Sequence, residues 1–106
     1  MATLEEFKRI ELKVAKILEA AKHPNADRLL ILTVDSGAGP KQVVSGIAQH
    51  YQPEELVGKH VVVVDNLDPA TIRGTVSNGM ILAASDEGSL CLVTPERPIR
   101  VGSVVR

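Results

Sequence analysis

The chain predicts a small all-β barrel or sandwich, and two observations carry that expectation. Its 106 residues include 14 valines and 7 isoleucines but only two aromatic residues, Phe7 and Tyr51. β-Branched side chains are stiff at χ1 and fit a pleated, half-buried surface, so they suit strands. Six prolines and eight glycines then fall at fairly even intervals from Pro24 onward, the punctuation of short strands. A hydrophobic content of 44% argues for a packed core rather than disorder. The length suits one domain over residues 1–106.

The elements follow in order. Thr3-Leu4-Glu5-Glu6 has the form of a capping box, predicting a short helix near 3–9. The next stretch reads two ways. Ile10, Val14, Ile17, Leu18 and Ala21 share a helical face, whereas Leu12 and Val14 alternate as in a strand, with a phase slip near Ala15. His23-Pro24-Asn25-Ala26-Asp27 is a turn. Arg28 to Asp35 alternates as a strand, Ser36 to Pro40 is a hairpin loop, and Lys41 to Ser45 is a short strand. Near 53–57, Pro53-Glu54-Glu55-Leu56-Val57 predicts one helical turn, with proline at its start and Gly58 as its stop. Val61-Val62-Val63-Val64 is apolar on both faces and so predicts a central strand over Lys59 to Asp65. An edge segment over Pro69 to Gly74, a strand over Met80 to Ala84, a turn at Asp86-Glu87-Gly88 and a strand over Leu90 to Val93 follow. The proline-rich tail, Pro95 to Arg106, holds a possible last strand at Ser103 to Val105.

Charge and chemistry then exclude function classes. Twelve Lys and Arg against 13 Asp and Glu leave a net charge of −1, so bulk charge alone would not hold a polyanion. His23, His50 and His60 lack paired spacing, and Cys91 is the only cysteine, so no metal or other cofactor is expected. Cys91 sits between Leu90 and Leu92 and is expected to be a packed, inert thiol. No nucleophile elbow or phosphate-cradling glycine loop occurs, so no enzyme is expected. There is no long uncharged apolar run and no basic-then-apolar leader, so the expectation is a cytoplasmic chain with no membrane partner.

Binding remains. Asn25 and Arg28 flank the first turn, and Arg73-Gly74 is followed by Ser77-Asn78-Gly79-Met80. Arginine can fork onto phosphate, short polar side chains add donors and acceptors, and glycine admits close backbone approach. Asn25, Arg28, Arg73, Ser77, Asn78 and Met80 are therefore the candidate contact residues.

Longer segments carry a resemblance. Glu11-Leu12-Lys13-Val14-Ala15-Lys16-Ile17, His23-Pro24-Asn25-Ala26-Asp27-Arg28-Leu29, Gln42-Val43-Val44-Ser45-Gly46-Ile47, Pro53 to Gly58, Ile72-Arg73-Gly74 and Ser77 to Ala83, with Phe7 and Tyr51, resemble the structure-specific tRNA-binding domain. That domain occurs at the C-terminus of bacterial methionyl-tRNA synthetases and in free-standing tRNA-binding proteins. The resemblance implies a five-stranded OB-fold Greek-key barrel with a short N-terminal helix, a short helix near 53–57 and a C-terminal extension. It makes Glu11 to Lys22 a long bent strand, with the slip near Ala15 read as a bulge. It places the six candidates on a face for the outer corner of tRNA, and implies a synthetase catalytic part as a possible partner. A bacterial export-associated chaperone of the same barrel, which holds polypeptide as a dimer, is the alternative.

A homodimer is the further expectation. Leu4 and Phe7 lie three apart on one helical face, and the tail carries Ile99, Val101 and Val104. A self-complementary seam would cover them. The competing reading has Leu4 and Phe7 plug an open end of the barrel.

Overall fold

The structure, a computed structural model, describes all residues from Met1 to Arg106. The ambiguous stretch forms one long strand, β1 (Leu12–Lys22). Its first half, Leu12 to Lys16, pairs with β4 (His60–Val64), and its second half, Lys16 to Lys22, with β2 (Leu30–Asp35), both antiparallel. One strand thus serves both halves of the barrel, and packing overrides the helix propensity of its sequence. The bulge sits between Ile17 and Glu19, not near Ala15. Adjacent Val14 and Ala15 are both buried because the strand is covered on two faces there. Ala15 joins the barrel core. The C-terminal segment runs alongside Val14, whose N–H donates to the Ser103 carbonyl at 2.9 Å and whose carbonyl accepts from the Gly102 N–H at 2.8 Å.

The main sheet runs β3–β2–β1–β4–β7, where β3 is Pro40–Ser45 and β7 is Met80–Ile81. All of Val61 to Val64 are buried, as a strand apolar on both faces requires. Leu30, Leu32 and Val34 supply the β2 side of the core. A short helix, α2 (Pro53–Leu56), sets the fully buried Leu56 into the same core, with proline in its first turn. The barrel closes where β3 meets residues 76–78. The Val44 N–H donates to Ser77 Oγ at 2.9 Å, the Asn78 N–H to the Gln42 carbonyl at 2.8 Å, and Gln42 Nε2 to the Val76 carbonyl at 2.8 Å.

Asp65 bridges strands beside the core. Lys41 Nζ lies 2.6 Å and Lys13 Nζ 3.3 Å from its carboxylate, and Ser36 Oγ donates to it at 2.8 Å. Burial opposes ionisation of this carboxyl most strongly of any single influence. Hydrogen bonds from Lys41, Ser36 and Lys13, with the Lys41 charge, together outweigh it and hold Asp65 below the usual carboxylate range.

Several expected elements differ. Pro69 to Gly74 is not a lone edge segment: β5 (Ala70–Ile72) and β6 (Thr75–Ser77) form a separate hairpin around Arg73-Gly74. The strand expected over Met80 to Ala84 breaks at Leu82 into β7 and β8 (Ala83–Asp86), and β8 pairs with β9 (Ser89–Leu92) as a two-stranded ribbon. Cys91 is exposed rather than packed. Side chains alternate along a strand, so Leu90 and Leu92 turn toward the core and Cys91 turns away.

The N-terminal helix, α1 (Leu4–Lys8), has its capping box: Thr3 Oγ1 accepts from the Glu6 N–H at 3.1 Å and Glu6 Oε1 from the Thr3 N–H at 2.9 Å. The helix buries none of its side chains. Leu4 is 67% and Phe7 44% exposed, so neither plugs the barrel. The Asn66 side chain ties α1 to the barrel, donating to the Arg9 carbonyl at 2.7 Å and accepting from the Glu11 N–H at 2.8 Å. The last strand, β10 (Val104–Val105), pairs with β1 at Leu12 and Lys13. Leu4, Phe7, Ile10, Leu12, Val104 and Val105 then line one apolar groove of about 580 Å³. Ile99 and Val101 do not line it.

Candidate nucleic-acid interface

The first turn, residues 23–29, is closed by its own backbone: the His23 N–H donates to the Leu29 carbonyl at 3.1 Å and the Leu29 N–H to the Ala26 carbonyl at 3.2 Å. Asn25 and Arg28 project from it and are exposed. Arg73 sits on the β5–β6 turn with φ 51°, followed by Gly74 at φ 85°. Two central residues at positive φ make a type I′ turn, whose twist suits a two-residue hairpin. Arg73 is the only non-glycine residue with positive φ. Asparagine, aspartate or glycine would sit there at lower cost. An arginine held in this conformation puts a cation at the hairpin tip.

The structure brings the two turns together. Ala26, Asp27, Arg28 and Leu29 from one turn and Ile72 and Arg73 from the other line a cleft of about 420 Å³. His23 joins the walls. It is only 6% exposed. Its Nδ1 accepts from the Asn25 N–H at 3.0 Å, and its Nε2 lies 2.9 Å from Thr75 Oγ1, two residues beyond Arg73. An Nδ1 that accepts leaves the ring proton on Nε2, which donates to Thr75. His23 is thus a satisfied histidine with no metal-ligand pairing, as its spacing from His50 and His60 suggests, but its link to the hairpin is not visible in the sequence. Its partner lies 52 residues away, and only the sequence His23-Pro24 at the mouth of a turn hinted that the ring was fixed.

The other candidates extend from this cleft along β3. Ser77 is buried at 3% exposure, with its Oγ accepting from Val44 and donating to the Gly79 carbonyl at 3.0 Å. It is a positioning residue, not a surface contact. Asn78 is half-buried and Met80 is 46% exposed beside Val64. Gly79 between them has φ 119°, and a Cβ there would meet the Val64 carbonyl oxygen at 2.7 Å, so this turn admits only glycine. Five of the six candidates thus reach the surface, Asn25, Arg28 and Arg73 around the cleft and Asn78 and Met80 farther along the chain, while Ser77 does not.

A closed five-strand barrel with arginine-bearing loops at one mouth is an OB-type binding barrel, a class that takes oligonucleotides between such loops. The comparisons narrow this class. Residues 12–104 match the family model “Putative tRNA binding domain”. The chain belongs to this tRNA-binding domain family. It is 49% identical over 106 residues to the methionine–tRNA ligase of Methanoregula boonei, covering 100% of this chain and 16% of that protein. The chain spans only 13–16% of the length of the methionine–tRNA ligases it matches. Among solved structures, the MetRS-related protein of Pyrococcus horikoshii superposes with a TM-score of 0.92 at 33% identity, covering 100% of this chain and 98% of that one. The chaperone CsaA of Bacillus anthracis gives a TM-score of 0.90 at 28% identity, covering 100% and 99%.

Proposed function

We propose that the chain binds folded tRNA by its shape at the outer corner, through the face that runs from Arg28 and Arg73 to Met80. The observation that carries this reading is that turns more than forty residues apart in sequence place Arg28 and Arg73 on one cleft. Two guanidinium groups at fixed spacing grip phosphate oxygens bidentately, and a rigid surface loses little entropy on binding. No reaction is catalysed. Attached to the catalytic part of a methionine–tRNA ligase, the domain would raise the local tRNA concentration at the active site; free in the cytoplasm, it would hold tRNA alone. Replacing either arginine with alanine weakens tRNA binding by ~1–3 kcal/mol and leaves the far-ultraviolet circular dichroism unchanged. Unchanged affinity in both variants overturns the face.

The same reading includes a homodimer. The groove between α1 and β10 is lined by six apolar residues, of which Leu4, Phe7, Ile10 and Val104 are exposed, and a two-fold seam is the commonest way to cover such a surface. Leu4, Phe7 and Val104 belong to it, and Ile10, Leu12 and Val105 extend it. The chaperone alternative rests on the likeness to CsaA together with this apolar groove. It requires binding of unfolded polypeptide that survives loss of both arginines.

A further inference from the structure

The cleft between the two turns has a composition that its role as a phosphate grip does not use. Ala26, Leu29 and Ile72 are half-buried, whereas Asp27, Arg28 and Arg73 are exposed. The apolar side chains therefore form the floor and the charged ones the rim. A site for phosphate alone needs no apolar floor, and a carboxylate on its rim would repel the anion. A ribonucleotide meets every part of it. A base has apolar faces for the floor, a phosphate suits the arginines, and a ribose 2′-hydroxyl can donate to a carboxylate such as Asp27. The chain has no tryptophan and only two aromatic residues, and neither lines the cleft, so an aliphatic floor flanked by guanidinium planes is the surface available for stacking.

The walls are also held apart at a set distance. His23 closes its own turn through the Asn25 N–H and reaches Thr75 on the hairpin, with both ring nitrogens engaged. The Ala48 N–H donates to the Arg28 carbonyl at 3.2 Å, anchoring that turn from behind. The Arg73 backbone is fixed by the type I′ turn. Neither wall can shift without breaking a hydrogen bond of a buried group.

We propose that this cleft is a pocket for one unstacked ribonucleotide of the bound RNA, with the base on Ala26, Leu29 and Ile72 and its phosphate between Arg28 and Arg73, and that the His23–Thr75 hydrogen bond fixes the spacing of its two walls. The proposal rests on the tRNA-binding reading and specifies how one end of that face engages the ligand. His23 and Thr75 act through the arginines and are positioning residues.

Methyl and amide nuclear magnetic resonance during titration with folded tRNA tests it. The Leu29 and Ile72 methyl signals shift together with the Arg28 and Arg73 amides, and inorganic phosphate at equal charge shifts the amides alone. Shifts at Asn78 and Met80 with silent Leu29 and Ile72 methyls overturn the pocket and leave tRNA binding standing. Absence of any shift with tRNA overturns both, as does a response of the same methyls to an unfolded polypeptide alone. The positioning claim has its own readout. In the wild-type background Arg28 and Arg73 hold one phosphate, so the Arg28→Ala/Arg73→Ala double variant loses little more affinity than the worse single variant. Thr75→Val weakens binding by about fivefold, the factor for one hydrogen bond, and makes the two arginine effects multiply. Thr75→Ser restores the wild-type pattern. A purely structural Thr75 would lower the unfolding midpoint without changing that coupling, and multiplying effects in the wild-type background would overturn the shared phosphate.

Discussion

Asp65 and Arg73 have opposite relations to stability. Asp65 holds two lysines and a serine hydroxyl from three separate parts of the chain. Its folded-state pKa is depressed, so it contributes stability that is complete above its unfolded value of about 3.9 and is lost as pH falls through the lower folded value. Asp65→Asn should therefore cost about 1–3 kcal/mol at pH 7, measured by urea unfolding. The two proteins should converge in stability as pH falls through the lowered folded-state pKa and the wild-type carboxyl is protonated. Arg73 sits in a backbone conformation that an arginine adopts at a cost. Arg73→Asn places the residue favoured at this position of a type I′ turn before Gly74, and should raise stability by about 1 kcal/mol while weakening tRNA binding. A variant that gains stability and keeps its affinity would remove Arg73 from the interface.

At the scale of elements, α1 and β10 form an annex outside the barrel. Phe7 is 44% exposed and α1 buries nothing, so Phe7→Glu should leave a folded chain. Light scattering at tens of micromolar should give a dimer for the wild type and a monomer for the variant, with weaker tRNA binding because paired faces no longer act together. A wild-type monomer at that concentration would contradict the seam. The two helices, the β2–β3 hairpin and the central β4 were legible because capping residues, turn residues and alternation are local signals. β1 was not legible from propensity, since its two half-partners, β4 and β2, lie elsewhere in the sequence and only tertiary pairing selects strand over helix. The Ala15 slip pointed to a bulge but recorded the cover over Val14. The β5–β6 hairpin escaped because its strands are three residues each, too short for a period to register. Arg28 and Arg73 were visible as residues, yet no spacing reveals that their two turns meet at one cleft in the folded chain.

The whole molecule carries a net charge of −1, so any affinity for tRNA has to come from the placement of a few cations rather than from their number. Each phosphate contact adds about −0.9 to the slope of log affinity against log salt on a duplex. About three to five contacts along the proposed face would give a shallow slope, and a ligand recognised by shape has to be folded to present them together. The most direct test is the affinity of the wild-type chain for native tRNA and for an unstructured RNA of equal length, measured in parallel over a range of salt. Shape recognition predicts markedly tighter binding of native tRNA, with a slope corresponding to about three to five phosphates. Equal affinity for the two RNAs, or a slope typical of about ten contacts, would contradict it.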